Sequence, residues 1–178
     1  SYLDPELPIE VRVKDLLKRM TLEEKVSQLG NSCDGIEHLK LPAFRDGEVE
    51  HGVSVIGTDD PQVGAATVFP QAIAMAATFD KMLIREIATA ISDEVRAKYN
   101  EGFMGLAFCS PVIDLVKDPR WGRAQESFGE DPLLAAVLGA EFIKGLSGDD
   151  PKYLKCVAGP KHITANSCEE TRRGGNVQ

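Results

Sequence analysis

The clearest pattern in this chain is an apolar residue at every fourth position between residues 81 and 100. Such spacing forms one apolar face of a helix, here made of Leu83, Ile87, Ile91 and Val95. Asp80 precedes this stretch as a good N-cap, and Gly102 supplies a stop. A similar stripe predicts a second long helix after Asp131-Pro132, with Leu134, Leu138, Phe142 and Leu146 on its buried face.

Two shorter helices are predicted near the start of the chain. The first runs from about Ile9 to Met20, and its apolar residues at helical spacing are Val13, Leu16 and Leu17. Thr21 and Glu24 have the spacing of a capping box, so a second short helix should continue through Leu29. Residues 31–62 are rich in Gly, Asp and charge, which favours loops around one short strand near Gly52–Ile56.

Three short apolar runs predict buried strands at residues 69–78, 105–111 and 154–159. The resulting order of strand, helix, strand, loop, helix and strand is typical of an α/β fold with a parallel sheet. Polar clusters follow two of these strands, in the Asp114–Asp131 loop and at Lys161-His162. Sites in parallel α/β folds form at the carboxyl ends of strands, so these clusters are candidate functional regions.

Composition narrows the class of protein. The chain has 178 residues, 43% of them hydrophobic and 27% charged, which fits one globular domain or a piece of a larger one. A closed (β/α) barrel normally needs roughly 200 residues or more, which indicates an incomplete unit. The net charge of −8 and the lack of a basic stripe argue against nucleic acid as a partner. No apolar run approaches the roughly 18 residues that cross a bilayer, so no membrane partner is expected.

No metal or other cofactor is expected either. The four cysteines lack the CxxC spacing of zinc sites and redox pairs. The polar start, Ser1-Tyr2-Leu3-Asp4-Pro5, is compatible with a removed leader. A secreted or periplasmic location is therefore favoured, and a cytoplasmic one stays open.

Three polar clusters can carry chemistry. Residues 46–52 combine carboxylates with His51 beside glycines and can bind sugar hydroxyls, although composition alone favours a solvated acidic turn. Residues 118–131 hold two arginines and Trp121, which suit a sugar ring or an ion-pair network about equally, with Arg120 the structural member. Lys161-His162 lies at a strand end, which favours function over a purely structural histidine.

At these clusters the chain resembles family 3 glycoside hydrolases of the β-xylosidase and β-glucosidase kind. DPRWGRAQESFGEDP is similar to the family's DPRWGR-x-x-E-[ST]-[YF]-G-E-D-P segment. The stretches LPIEVRVKDLLKRMTLEEKVSQL and ATVFPQAIAMAATFD, and the Lys161-His162 pair, resemble family motifs in the same order. The resemblance covers nearly the whole chain.

The resemblance implies that residues 1–178 are the first portion of a TIM-like (β/α) barrel domain. Family members cleave β-linked sugars from non-reducing ends with retention, which needs two carboxyl groups about 5 Å apart. Their nucleophile is an Asp in a later SDW- or TDW-like motif, and no such motif occurs here. We therefore expect the front portion of a retaining exo-acting β-glycosidase, inactive by itself, with the nucleophile and the acid/base supplied from downstream. The expected ligand is a β-linked oligosaccharide or glycoside.

The resemblance also carries over a set of substrate-binding residues. Arg123 matches the family arginine that contacts sugar hydroxyls, and Lys161 and His162 match its KH pair. Glu48 matches the acidic position of the family's [DE]-x-x-H-G pattern, with Asp46 as the competing candidate. Glu126 and Asp131 are expected to be structural partners of the arginines. The tail, with its candidates Glu169, Glu170, Arg172 and Arg173, carries no assignment.

Two other classes stay open from the sequence. One is a non-catalytic carbohydrate-binding module, and the other is a structural half-barrel that folds with the remainder of the barrel or a second chain. The sugar, glucose or xylose, is also open, because the position that senses the extra hydroxymethyl group falls in the Asp46–His51 region.

Overall fold

The computed structural model describes residues 1–30, 32–54, 65–163 and 166. The chain divides into two compact units, Ser1–Asp46 and Gly47–Gln178. In the described part of the chain, no helix has both the length and the apolar character needed to cross a membrane.

The first unit begins with the two predicted short helices, α1 (Ile9–Arg19) and α2 (Leu22–Ser27). The predicted capping box is confirmed. The Glu24 N–H donates to Thr21 Oγ1 at 3.2 Å, and the Thr21 N–H donates back to Glu24 Oε2 at 2.8 Å. Both orphan donors at the start of α2 are therefore satisfied within four residues of chain. A small core of buried residues follows, formed by Met20, Ile36 and Leu39.

The strand predicted near Gly52–Ile56 lies partly outside the described residues, and its described part, residues 52–54, forms no strand. The strands of this region are β1 (Ser32–Cys33) and β2 (Phe44–Gly47), which pair antiparallel with Ser32 opposite Arg45. Ser54 forms only an isolated bridge with Glu48, and residues 55–62 lie outside the described residues. Strands of two and four residues are too short for an alternating apolar pattern, so the sequence carried no signal for them.

The apolar run at residues 69–78 forms a short helix, α3 (Ala72–Ala76), and the predicted strand is wrong. Its buried side chains, Ala72, Met75 and Ala76, follow the i, i+3, i+4 spacing of a helix. Alanine and methionine are also among the better helix formers. A short apolar run does not by itself distinguish a buried strand from a buried helix, and here propensity decides.

The two long helices are confirmed as α4 (Lys81–Asn100) and α5 (Pro132–Ser147). Asp80 caps α4 by accepting the N–H groups of Met82 and Leu83, and Asp131 caps α5 by accepting the Leu134 N–H at 2.7 Å. The helices pack together around a core that includes Ile84, Ile87, Ile91, Val95, Leu138, Phe142 and Leu146.

One member of each predicted stripe is displaced from the core. Leu83 is 37% exposed, and Ile84 takes the fully buried place instead. Leu134 packs only at the edge of the core. A strict spacing of four drifts around a helix of 3.6 residues per turn, so the first member of each stripe lies away from the core.

Two short strands, β3 (Ala107–Phe108) and β4 (Val157–Ala158), pair in parallel with Ala107 opposite Val157. Helix α5 lies between them in sequence, so β3, α5 and β4 form the predicted βαβ crossover. The parallel pairing continues beyond the strands as an isolated bridge between Val112 and Lys161. This extension brings residues 112–114 and 161–162 side by side at the carboxyl ends of the two strands.

Candidate functional site

Backbone hydrogen bonds fix Lys161 at the carboxyl end of β4. Its N–H donates to the Pro111 carbonyl at 3.0 Å, and its own carbonyl accepts the Ile113 N–H at 2.8 Å. The Ser110–Pro111 and Lys161–His162 peptide bonds are both cis. Lys161 therefore occupies the strand-end position at which α/β folds build their sites.

Lys161 pairs with Glu48. The ammonium donates to Glu48 Oε1 at 2.8 Å and to Oε2 at 2.7 Å, and the lysine side chain is only 15% exposed. The two residues are 113 positions apart in sequence. This ion pair therefore brings the polar cluster at residues 46–52 into contact with the one at residues 161–162.

Arg123 pairs with Glu126 across a 3₁₀ turn, Ala124–Glu126. Arg123 Nε donates to both carboxylate oxygens, at 3.0 and 3.1 Å, and Nη2 donates to Oε2 at 2.6 Å. The expectation that Glu126 is a structural partner of an arginine is confirmed. Both side chains stay between a quarter and a third exposed, so the guanidinium keeps access to a ligand.

His162 is oriented by Asp114. The imidazole Nδ1 lies 2.7 Å from Asp114 Oδ2, and the His162 backbone N–H donates to the same oxygen at 3.1 Å. A proton on Nδ1 that donates to this carboxylate leaves Nε2 as the nitrogen for other contacts. Asp114 is the first residue of the polar loop that follows the β3 segment, and this strand-end position was the sequence signal that could have identified it.

The predicted site residues converge. Glu48, Arg123, Lys161 and His162 all line one cavity of 620 Å³. Glu48, Arg123 and Lys161 also line an adjoining cavity of 460 Å³, together with Glu50, His51 and Glu126. Both volumes lie in the usual range of small-ligand sites. The sequence clusters at residues 46–52, 118–131 and 161–162 therefore meet around a common space.

Glu50 is a second residue of this site, besides Asp114, that the sequence did not single out. Its Oε1 accepts the Val112 N–H at 2.9 Å. Its Oε2 is buried and has no hydrogen-bond partner among the described residues. Burial raises the pKa of Glu50 from 4.5 to about 7, which outweighs the lowering by the Val112 N–H and by Lys161.

Other candidates of the arginine-rich loop have different roles. Trp121 is 7% exposed and lines neither of these two cavities, so it does not present its ring to a ligand there. Arg120 pairs with Asp118, but this pair is exposed and not the buried pair that a structural role would need. The hydrogen bonds from Arg120 lower the pKa of Asp118 to about 2. Asp131 caps α5, so the expectation that it partners an arginine is wrong.

The competing acidic candidate, Asp46, lies in β2 and belongs to the first unit. Glu169, Glu170, Arg172 and Arg173 lie outside the described residues. In the described part of the chain, no group of His, Cys, Asp and Glu side chains has an arrangement that could hold a metal ion.

This geometry defines an α/β domain with a polar, ion-paired cavity at the carboxyl ends of parallel strands. The family model described as the N-terminal domain of glycosyl hydrolase family 3 matches residues 13–176. The chain therefore belongs to glycosyl hydrolase family 3. The match confirms the predicted fold class, in which these residues form part of a TIM-like (β/α) barrel.

Curated relatives of the chain include β-xylosidases. The chain is 45% identical over 173 residues to β-xylosidase/α-L-arabinofuranosidase 1 of Medicago sativa subsp. varia, covering 93% of this chain and 22% of that protein. It is 43% identical over 178 residues to β-D-xylosidase 3 of Arabidopsis thaliana, covering 96% of this chain and 23% of that protein. The chain thus spans less than a quarter of the length of these relatives.

Solved structures are similar as well. A GH3 exo-β-xylosidase (XlnD), in complex with a xylobiose aziridine activity-based probe, matches with a TM-score of 0.84 and 38% identity over 91% of this chain and 22% of its own. β-Glucosidase 3B of Thermotoga neapolitana, in complex with α-D-glucose, matches with a TM-score of 0.71 and 25% identity over 88% of this chain and 23% of its own.

Proposed function

We propose that this chain supplies sugar-binding residues to the active site of a retaining, exo-acting β-glycosidase. The observation that carries this proposal is the convergence of Glu48, Arg123, Lys161 and His162 on one cavity. These residues come from three separate parts of the sequence, and each is placed by its own hydrogen bonds.

The charge balance of the cavity suits an uncharged ligand. Lys161 is neutralised by Glu48, and Arg123 is neutralised by Glu126. A site for phosphate or carboxylate would keep excess positive charge, whereas sugar hydroxyls need donors and acceptors side by side. Ion pairs supply both, since the ammonium and guanidinium donate while the carboxylates accept.

Xylose is the sugar that we propose. The β-xylosidase relatives from Medicago and Arabidopsis share 45% and 43% identity with this chain. The β-glucosidase from Thermotoga shares 25%. We further propose that the nucleophile and the acid/base come from outside these residues, because the SDW- or TDW-like motif does not occur among them.

Arginine variants of the gene product that contains these residues test the proposal. Arg123→Ala removes a donor fork that lines both cavities, so kcat/KM for an aryl β-D-xyloside should fall by about a hundredfold or more, as expected for a lost charge-assisted contact. Arg120→Ala is the matched control, because it removes an exposed arginine of the same loop and should leave kcat/KM within about twofold.

Two results would contradict the proposed function. One is a gene product that hydrolyses no β-glycoside and binds no D-xylose. The other is an Arg123→Ala variant as active as Arg120→Ala.

A further inference from the structure

Glu50 combines three features that the roles already described do not explain. It lines the 460 Å³ cavity beside Glu48, Arg123 and Lys161. One of its oxygens is held by a backbone N–H, while the other is buried without a hydrogen-bond partner among the described residues. It also falls on one of the variable positions of the [DE]-x-x-H-G pattern, so the family resemblance gives it no role.

A buried carboxyl oxygen without a partner is costly, because desolvation is not compensated by a hydrogen bond. In the cavity around Glu50, the two cationic side chains are already paired with other carboxylates. Lys161 donates to Glu48, and Arg123 donates to Glu126. The His51 ring nitrogen Nδ1 lies 3.2 Å from the Phe69 carbonyl. A hydroxyl of a ligand in the cavity can satisfy Glu50 Oε2 without breaking one of these pairs.

We propose that Glu50 is a further ligand-binding residue of this cavity, and that its protonated carboxyl donates a hydrogen bond through Oε2 to a sugar oxygen. The inference rests on the proposed function, since it takes the ligand to be a sugar.

The electrostatics around Glu50 favour the protonated form. Burial has the largest effect on the pKa of Glu50 and raises it, and Glu48 and Glu126 act in the same direction. The Val112 N–H and Lys161 favour the ionised carboxylate, but they do not offset the effect of burial. Because burial raises the pKa of Glu50 to about 7, the carboxyl keeps its proton in mildly acidic solution. A sugar that displaces solvent from the cavity increases this burial, so binding and protonation should reinforce each other.

The proposal predicts that D-xylose binding weakens as Glu50 loses its proton. Isothermal titration calorimetry on the gene product should show affinity for D-xylose falling about fivefold or more between about pH 5.5 and about pH 8.5. Glu50→Gln should abolish this pH dependence, because the amide cannot ionise and still offers a donor. Glu50→Ala should bind about tenfold more weakly than the wild type at about pH 5.5, the effect of one lost hydrogen bond.

Controls separate this inference from the proposed function. Glu86→Gln, a change on the exposed face of α4, should keep the pH dependence of the wild type. His51 is also titratable and lines the same cavity, so the pH profile of the wild type cannot by itself identify the titrating group. The Glu50→Gln variant shows whether that group is Glu50. Thermal melting and circular dichroism of each variant establish that it is folded before its binding is compared.

The outcomes are distinct. If Arg123→Ala loses xylose binding while Glu50→Gln keeps the pH dependence, or Glu50→Ala binds like the wild type, the role of Glu50 is overturned and the sugar site stands. If affinity rises with pH, the protonated donor is overturned. If the wild type binds no D-xylose at either pH, both the site and the role of Glu50 are overturned.

Discussion

At the scale of single residues, Glu50 links the cavity to the stability of the fold. Its carboxyl is held by the Val112 N–H on one side and buried without a described partner on the other. Since burial raises its pKa from 4.5 to about 7, the native state binds more protons than the unfolded state between these values. The free energy of unfolding therefore decreases as the pH rises through this window, and it stays lower above it.

We predict that Glu50→Gln is stabilising at about pH 8 and nearly neutral at about pH 4. The gain at the higher pH should be on the order of 3 kcal/mol, the free-energy cost of ionising a carboxyl whose pKa rises from 4.5 to about 7. Urea unfolding at the two pH values, followed by circular dichroism, measures the difference. The exposed Glu86→Gln serves as control and should change stability by less than about 0.5 kcal/mol at either pH. An equal effect of Glu50→Gln at both pH values would contradict the prediction.

The residues of the site could be predicted to different degrees. Motif positions identified Glu48, Arg123, Lys161 and His162, and the structure brings all four to one cavity. Glu50 and Asp114 were not identified because neither stands at a family motif position that marks a role, and their roles depend on contacts that span 62 and 48 positions of sequence. Nothing in the local pattern distinguishes a buried carboxylate from the solvated acidic turn that residues 46–52 resemble.

At the scale of secondary-structure elements, the contact between α4 and α5 depends on Gly145. A Cβ built at this position would lie 2.5 Å from the Arg85 carbonyl oxygen and 2.6 Å from the Ala88 Cβ. The close approach also lets the Ser92 hydroxyl donate to the Gly145 carbonyl at 3.2 Å. Backbone and a Cβ cannot move aside as the end of a flexible side chain can, so the helices would have to separate.

We therefore predict that Gly145→Ala destabilises the protein by about 1–3 kcal/mol, the typical cost of overpacking a core. In an exposed helix, a Gly→Ala change would stabilise the protein by about 0.5–1 kcal/mol. A loss of stability on Gly145→Ala would therefore indicate that the close helix contact is disturbed. Gly122→Ala is the matched control, since a Cβ there meets nothing within 4 Å. The melting temperatures of the two variants, measured by thermal unfolding, test this prediction. Equal melting temperatures would show that the α4–α5 contact tolerates the added methyl group.

Helices were easier to predict than strands for a physical reason. Both long helices carry caps and a repeating apolar face, so α4 and α5 begin directly after their predicted caps, Asp80 and Asp131. The four strands found in the described part of the chain span two to four residues each, and their pairing depends on segments that are distant in sequence. The run at residues 69–78 was ambiguous in sequence because a short apolar stretch such as Ala72–Ala76 can be buried either as a helix or as a strand.

At the scale of the whole molecule, the second unit exposes large apolar side chains. Phe79 is 76% exposed and Leu133 is 73% exposed, and both line an apolar cavity of 730 Å³ between α3 and α5. Exposed apolar surface of this kind favours association or coverage by other protein. We predict that the purified 178-residue chain self-associates, with a sedimentation coefficient that rises with concentration.

A charge at Leu133 tests the source of this association. Leu133 is the second residue of α5, where a carboxylate is favourable to the helix dipole, so Leu133→Glu should reduce self-association without loss of helix content. Leu133→Met keeps the surface apolar and should associate like the wild type. A single monomeric species with a cooperative melt for the wild-type chain would argue against the prediction.

The same 178 residues should bind sugar without cleaving it. A retaining glycosidase needs an ionised nucleophile and a proton donor about 5 Å apart on either side of the anomeric carbon. Among the carboxyl groups that line the 460 Å³ cavity, Glu48 is held by Lys161, Glu126 is held by Arg123, and Glu50 is buried with a raised pKa. A carboxylate locked in an ion pair is a poor nucleophile, because attack would leave its cation unpaired in a partly buried site.

We therefore predict that the purified chain shows no hydrolysis of an aryl β-D-xyloside above the uncatalysed rate, while it binds D-xylose in an Arg123-dependent manner. Fluorimetric assay of the released aryl group measures the first, and calorimetry of wild type against Arg123→Ala measures the second. Hydrolysis that Arg123→Ala abolishes would mean that a carboxyl pair within these residues performs the chemistry. Glu50 would then be the first residue to substitute, since among the three it is the one whose raised pKa permits proton donation near neutral pH.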